Sequence, residues 1–246
     1  MILLCNGDSW TQGDSPAQDL NWEAKPNLDW YNIMPNFGEP TIPCDDRITY
    51  KFYDSDVWPK VLGEKLGLET WNCGRLGASN QRIVRTTINS IEYLESLGKK
   101  DIFVVIGLTS LVRYDMMVEK HKGIKYVSCR VDESKTATDE LIQHNLLQLI
   151  NLQNYLSMKG IDYLIFSAFD LYIENDFKNK PLYKFINFDK IYNNNLEPHF
   201  RNFIDKKFNT NWSDTGNYYN TIHPTDKSHI EWGNELHKYI KENYDV

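Results

Sequence analysis

The sequence opens with "MILLCNGDSW", residues 1–10. Its apolar start gives way within a few positions to Gly7, Asp8 and Ser9, which is typical of a buried strand that ends in a turn. A serine at such a turn is either a helix N-cap, which accepts a hydrogen bond from backbone N–H groups, or a nucleophile. Features elsewhere in the sequence are needed to distinguish these two roles.

Apolar runs and amphipathic segments alternate along the remainder of the chain. After the first strand, the strand-like runs lie at 69–73, 101–107 and 162–168, with a further strand or hairpin arm at 125–131. The segments with helical spacing lie at 55–68, 79–98, 137–160 and 225–243. This alternation predicts an α/β fold, a three-layer α/β/α sandwich with a central, mostly parallel sheet.

Neither an internal repeat nor a linker interrupts the chain, so a single domain over residues 1–246 is predicted. Residues 11–56 are irregular and rich in Pro, Asn, Asp and Gly. They are predicted to form a long loop insertion, which in a compact domain is usually a functional lid or an added segment. Residues 170–222 show no clear pattern and are not assigned.

The charge balance and the apolar segments restrict the partners. The net charge of −7 argues against nucleic acid as the main partner, because phosphate binding requires a basic surface. No stretch approaches the roughly 20 apolar residues that a membrane-spanning helix needs. The apolar start is too short and lacks the basic flank of a signal peptide. A cytoplasmic protein without a membrane partner is therefore predicted, and its oligomeric state is open.

Four cysteines are widely separated and show no C-x-x-C spacing: Cys5, Cys44, Cys73 and Cys129. This spacing favours neither a zinc knuckle nor a redox pair, and the cysteines are interpreted as free thiols in a reducing compartment. The histidines likewise do not match the spacing of a known metal site. Neither a metal nor an organic cofactor is expected.

Polar and glycine-containing segments follow the predicted strands, at residues 7–9, 74–80 and 107–110, and another precedes the last helix, at 220–224. In a parallel α/β sheet, ligands bind beyond the carboxyl ends of the strands. We therefore expect these four distant segments to meet at one edge of the sheet.

The chemistry of these segments favours acyl transfer. A serine at a strand-to-helix turn faces the positive end of a helix dipole, and a histidine can take its proton as a general base. Glycines leave backbone N–H groups accessible to a developing oxyanion. Ser9 and His223 are the candidate nucleophile and base, because His223 is the one histidine in a turn that leads into a helix.

The chain resembles the SGNH hydrolases of the GDSL type, whose sequence blocks are spread over the whole domain. Gly7 to Trp10 are similar to the first block, and Asn72 to Gly77 are similar to the second. "VVIGLTS", residues 104–110, lies where the third block belongs, and "NTIHPTDKSHIEWGNEL", residues 220–236, is similar to the last. The resemblance covers nearly the entire chain and preserves the order of the blocks.

The resemblance implies a serine esterase that works through an acyl-enzyme on Ser9, with His223 as base. It implies an oxyanion hole made by Ser9, Gly77 and the residue at position 109. The expected substrate is a small molecule or glycan that carries an O-acetyl or other small acyl ester.

Two departures from the family pattern bear on activity. Thr109 replaces the asparagine of the third block, although its hydroxyl can still donate one hydrogen bond. Asn220 stands where the last block has an aspartate, so the group beside His223 carries no charge. Three readings stay open: Asn220 orients a slow Ser–His dyad, Asp214 or Asp226 reaches His223, or the fold has lost hydrolysis. The last reading describes a binding or structural module, of phage origin and associated with the virion.

Several residues that flank these blocks are candidates for contact with the substrate: Asp8, Trp10, Arg75, Ser110 and Arg113. Arg113 is the one with two distinct readings. Its guanidinium could bind a carboxylate or phosphate of the substrate, or it could pair with Asp115 or another nearby acid. Trp10 and Asp8 are included because they flank the candidate nucleophile.

Overall fold

The computed structural model describes residues 1–13, 56–75, 77–111, 113–120, 123–130, 139–169, 178–211, 218–220 and 223–246. Its helices are α1 (Ser9–Gln12), α2 (Trp58–Leu66), α3 (Asn80–Ser96), α4 (Asp139–Lys159), α5 (His199–Phe208) and α6 (Asp226–Asn243). Its strands are β1 (Ile2–Asn6), β2 (Glu69–Asn72), β3 (Ile102–Leu108), β4 (Arg113–Lys120), β5 (Gly123–Arg130), β6 (Asp162–Ser167), β7 (Tyr219–Asn220) and β8 (His223–Pro224). Between β6 and α5, the described residues form three short 3₁₀ helices, at Pro181–Phe185, Phe188–Lys190 and Tyr192–Asn194.

A four-stranded parallel sheet in the order β2-β1-β3-β6 forms the centre of the described fold. β1 is held from both sides, because Ile2 lies opposite Glu69 on β2 and opposite Ile102 on β3. β1 and β3 are buried along their whole length. Continuous apolar strands of this kind are expected where helices cover both faces of a sheet.

Alternate side chains of the central strands enter two separate apolar cores. Leu4 and Val104 face the core that α3 and α4 complete with residues such as Ile83 and Leu146. Leu3 and Val105 face the opposite core, which α2, α5 and α6 complete with the side chains Leu62, Phe200, Trp232 and Leu236. This period-two alternation follows from strand geometry. The predicted three-layer α/β/α architecture with a mostly parallel sheet is confirmed.

A β-hairpin and one helix add to this plan. β4 and β5 pair antiparallel over eight residues each, which confirms the hairpin arm expected at 125–131 and supplies a partner strand that was not predicted. Helix α5 lies within the unassigned region 170–222. The loop insertion predicted for 11–56 lies outside the described residues, apart from residues 11–13 and 56. The single-domain organisation stays a prediction.

The cysteines differ from their interpretation as free thiols. Cys5 is a free thiol on β1, and its burial raises its pKa well above the ordinary value. Cys73, directly after β2, is disulfide-bonded. The interpretation is therefore wrong for Cys73, because residue spacing along the chain does not reveal which thiols the fold brings together.

Within the described part of the chain, each helix is too short or too polar to cross a membrane.

Candidate active site

The turn after β1 assigns the N-cap role to Asp8 and not to Ser9. The Asp8 side chain accepts a hydrogen bond of 3.0 Å from the Trp10 N–H, and Ser9 is the first residue of α1. Because Asp8 caps the helix, the Ser9 hydroxyl is not used as a cap. The N–H of Ser9, as that of the first helical residue, has no acceptor within the helix. Ser9 itself is only 2% exposed.

Glycines allow the loop after β2 to pack directly against this turn. A Cβ on Gly74 would lie 2.6 Å from the backbone nitrogen of Gln12, and one on Gly7 would lie 2.1 Å from Thr11 Oγ1. The Asn72 amide donates to Thr11 O at 2.9 Å. The first and second predicted segments are therefore fixed side by side.

Gly77 lies further along the same loop, with φ +71° and open space around the position of a Cβ. Among the described residues, the N–H groups of Ser9 and Gly77 have no hydrogen-bond acceptor in the protein. Arg75, two residues before Gly77, is half-buried, and its N–H donates to Gly7 O at 3.0 Å.

The fourth segment brings His223 to Ser9. His223 Nε2 lies 3.1 Å from Ser9 Oγ, although the two residues are 214 positions apart in the chain. β7 and β8 form a small antiparallel ladder, and its register places Asn220 directly opposite His223. A hydroxyl and an imidazole nitrogen at this distance can share a proton.

The candidates for an acid beside His223 have different positions. Asn220 is the cross-strand neighbour of His223, and Asp226 begins α6, directly after the Thr225 N-cap. Asp214 lies outside the described residues.

The third segment meets the first through a buried ionic cluster. Asp8 Oδ2 accepts hydrogen bonds of 2.7 Å from both Thr109 Oγ1 and Arg113 Nη1. Arg113 Nη1 also donates to Thr109 Oγ1 at 2.8 Å. Buried charges are stable only when they are paired and hydrogen-bonded, so this cluster fixes the residue that precedes Ser9.

This cluster bears on two expectations from the sequence: the acid that pairs with Arg113, and the availability of the Thr109 hydroxyl as an oxyanion donor. Arg113 pairs with Asp8, whereas Asp115 accepts hydrogen bonds from Ser79 and Arg85. Thr109 uses both of its donors within the protein, because its hydroxyl donates to Asp8 and its N–H donates to Asn80 Oδ1.

Two further candidate residues are buried. Trp10 is 1% exposed and packs against the rings of Phe169 and Phe200, so its indole belongs to the core under the turn. Ser110 has a buried hydroxyl with no hydrogen-bond partner in the described structure.

A pair of asparagines that sequence reasoning missed supports the end of β3. The Asn80 amide donates to Thr109 O and to Asn145 Oδ1, each at 3.0 Å. The Asn145 amide in turn donates to Leu141 O. The signal in the sequence is a polar residue on the apolar face of α4, between Leu141 and Leu149.

Two histidines other than His223 are held neutral by the fold. Burial lowers the pKa of His199 to about 3. Burial, followed by the charge of nearby His223, lowers the pKa of His229 to about 3. The Nδ1 atoms of these two imidazoles accept backbone N–H groups, from Ser167 and Trp58 respectively.

These two histidines predict acid sensitivity of the fold. An unfolded imidazole takes up a proton below about pH 6.5, whereas the folded imidazoles do so only near pH 3. Their stabilising contribution is complete above pH 6.5 and is lost as the pH falls toward 3. The free energy of unfolding should fall by about 3 kcal/mol between pH 6.5 and pH 5, because the slope per histidine rises from about 0.7 kcal/mol per pH unit at pH 6.5 toward about 1.4 at pH 5.

Urea unfolding at a series of pH values measures this loss. His199→Gln removes one of the two titrations, so about half of the pH dependence should disappear in that variant. An unchanged pH dependence in His199→Gln would contradict the assignment.

The described fold is similar to that of a solved carbohydrate esterase. A carbohydrate esterase family 2 enzyme with a carbohydrate-binding domain, from Corynascus thermopiles (Myceliophthora fergusii), matches at TM-score 0.50 and 12% identity, over 98% of this chain and 65% of that one. An acetyl xylan esterase, Est2A, from the rumen bacterium Butyrivibrio proteoclasticus matches at TM-score 0.48 and 14% identity, over 98% and 63%. A G-D-S-L family protein from Desulfitobacterium hafniense DCB-2 matches at TM-score 0.40 and 13% identity, over 96% and 97%.

The chain thus spans less than two thirds of the length of the two carbohydrate esterases. By sequence, it belongs to a family of unknown function, DUF6071, whose model matches residues 43–245. Among curated proteins, no sequence matches the chain significantly.

Proposed function

We propose that the protein is a serine esterase of the SGNH type that hydrolyses small acyl esters, with O-acetyl groups on carbohydrates as the favoured substrates. The observation that carries this proposal is the 3.1 Å distance between Ser9 Oγ and His223 Nε2. Two residues from distant parts of the chain meet at a turn where the Ser9 N–H has no acceptor among the described residues, which supports acyl transfer.

Acylation begins with Ser9. Its Oγ forms a bond to the acyl carbon, its proton passes to His223 Nε2, and the carbonyl π electrons move onto the carbonyl oxygen. When the tetrahedral intermediate collapses, the carbonyl re-forms and the bond to the alcohol oxygen breaks. That oxygen takes the proton from His223, which leaves an acyl group on Ser9.

Water completes the cycle. His223 Nε2 takes a proton from water as the water oxygen bonds to the acyl carbon. Collapse of the second tetrahedral intermediate breaks the bond to Ser9 Oγ, and the proton returns from His223 to Ser9. The product is the free carboxylic acid, and no external reductant, oxidant or metal enters the proton and electron balance.

The oxyanion hole is assigned to the N–H groups of Ser9 and Gly77. Each such donor is typically worth about 10²–10³ in rate. Thr109 has a supporting role in this proposal, since both its donors are engaged by Asp8 and Asn80.

Asn220 is assigned as the residue that orients His223, because it lies directly opposite in the β7–β8 ladder. An amide oxygen can accept from the imidazole N–H, but it stabilises the imidazolium less than a carboxylate does. The proposed enzyme is therefore slow per active site. Asp226 and Asp214 are the competing assignments.

The substrate class is taken from the shape of the site and from the fold relatives. Ser9 is only 2% exposed, which favours a small acyl group over a bulky one. The fold relative from Corynascus thermopiles is described as a carbohydrate esterase, which supports a carbohydrate ester as substrate. A small-molecule or glycan ester is accordingly the proposed partner of the site.

Labelling with a fluorophosphonate, followed by peptide mass spectrometry, tests the nucleophile, and acetate release from acetylated xylan tests the substrate. We expect one adduct, on Ser9, and acetate release that falls in proportion to the labelled fraction, because a phosphonylated Ser9 cannot be acylated. A protein that neither labels nor releases acetate would be the alternative, a binding or structural module that kept the fold and lost hydrolysis.

A further inference from the structure

Arg113 has hydrogen-bond donors that the buried cluster does not use. Its Nη1 donates to Asp8 Oδ2 and to Thr109 Oγ1. A guanidinium carries five N–H donors. Those on Nε and Nη2 make no hydrogen bond to any residue that the structure describes.

Arg113 is also the accessible member of the cluster. Asp8 and Thr109 are 0% exposed, whereas Arg113 is 9% exposed. Because Asp8 directly precedes Ser9 in the chain, the ion pair between Arg113 and Asp8 holds the guanidinium next to the nucleophile turn.

The anchoring makes the guanidinium rigid. Asp8 holds one side of it at 2.7 Å, and the Phe169 ring lies 5.5 Å from its central carbon. Asp8 is the residue directly before Ser9, so the charge is fixed to the nucleophile turn itself. Donors that are oriented before the reaction stabilise a developing charge without a cost of reorganisation.

We propose that Arg113 is a catalytic residue, whose uncommitted N–H groups donate to the oxyanion as the third donor beside the Ser9 and Gly77 N–H groups. The inference rests on the proposed esterase function. When Ser9 Oγ bonds to the acyl carbon and its proton moves to His223, the carbonyl oxygen gains the electron pair, and Arg113 stabilises that charge. It supplies the donor that the Thr109 side chain, already bonded to Asp8, does not.

The competing role for Arg113 is recognition of an anionic group on the substrate. The two roles differ in kinetics. An oxyanion donor acts in the transition state and lowers kcat when it is removed, whereas a contact to a remote carboxylate acts equally before and during the reaction and raises KM.

The test compares Arg113→Lys and Arg113→Ala with the unaltered protein, on p-nitrophenyl acetate and on a succinate monoester of p-nitrophenol. Lysine keeps a positive charge near Asp8 but lacks the planar fork of donors. Arg201→Lys on α5, where Arg201 pairs with Asp205, is the matched control. Circular dichroism and thermal unfolding show whether each variant folds, and Arg113→Lys keeps the test valid if Arg113→Ala does not.

For both Arg113 variants we expect kcat on the neutral ester to fall by about 10²-fold or more, with KM changed by less than about threefold. The rate of fluorophosphonate labelling of Ser9 should fall with kcat, because the phosphoryl oxygen occupies the same hole. Added ethylguanidinium should restore part of the kcat of Arg113→Ala but none in Arg113→Lys.

Two results would overturn the inference alone: a kcat in Arg113→Lys equal to that of the control, or a loss confined to the KM of the anionic ester. If the unaltered protein shows no Ser9-dependent hydrolysis and no labelling, the proposed function falls, and this inference falls with it.

Discussion

Replacing Ser9 with alanine is expected to lower kcat for p-nitrophenyl acetate by at least about 10³-fold, with no loss of folding. The hydroxyl lies 3.1 Å from His223 Nε2 and makes no capping bond that the helix needs, since Asp8 provides the cap. The variant therefore removes the nucleophile and leaves its surroundings in place. Initial rates at saturating ester, with active-site titration of the parent protein, give the ratio.

Ser96→Ala is the matched control, because Ser96 is exposed at the end of α3 and its hydroxyl donates to Tyr93 O, its one hydrogen bond among the described residues. It should keep full activity. His223→Ala should lose nearly as much as Ser9→Ala, and the double variant little more, because a nucleophile and its base act as one unit. Equal rates for Ser9→Ala and the parent would remove the esterase proposal.

Replacing Asn220 with aspartate is expected to raise kcat by about 10²-fold, because loss of the carboxylate from a Ser–His–Asp triad costs up to about 10⁴. The position is directly opposite His223 in the β7–β8 ladder. A carboxylate there would favour the tautomer with a free Nε2 and would stabilise the imidazolium that forms during acylation. Steady-state kinetics at pH 7 and pH 8 measure the gain.

Asn243→Asp, on the exposed last turn of α6, adds the same charge away from the site and should leave kcat unchanged. Asp226→Asn separates the competing assignment. If Asn220→Asp gives no gain and Asp226→Asn loses activity, Asp226 and not Asn220 is the partner of His223.

The sheet and the meeting of Ser9 with His223 were predictable because local patterns encode them. Apolar runs such as 101–107 predict a strand that is covered on both faces of the sheet. The helices that follow β1 and His223 both begin after residues that are common at helix starts, Asp8 and Thr225. The order of the segments then fixes which loops share the carboxyl edge of the sheet.

The contacts that refine the site were not predictable in the same way. Arg113 has several acids within a few positions, and nothing local distinguishes the distant Asp8 from the adjacent Asp115. The choice is made by tertiary packing, which buries Asp8 completely and so requires a counter-charge. The same holds for Asn80 and Asn145, whose amides meet only when α3 and α4 pack side by side.

Helix α5 and strand β4 were not predicted because their own sequences lack the usual signals of a helix start or of a strand. α5 begins after Pro198 without a side-chain cap, so the usual start signal is missing. β4, "RYDMMVEK", has no regular alternation of polar and apolar residues, and its partner β5 defines it through the antiparallel ladder.

The central position of β1 has a consequence for synthesis. Ile2–Asn6 leaves the ribosome before both of its neighbours, Glu69–Asn72 and Ile102–Leu108. At least one edge of this apolar strand stays unpaired on the nascent chain until β3 has cleared the exit tunnel. Ile2–Asn6 is therefore open to co-translational chaperones during this interval, and slower elongation through β3 prolongs that exposure.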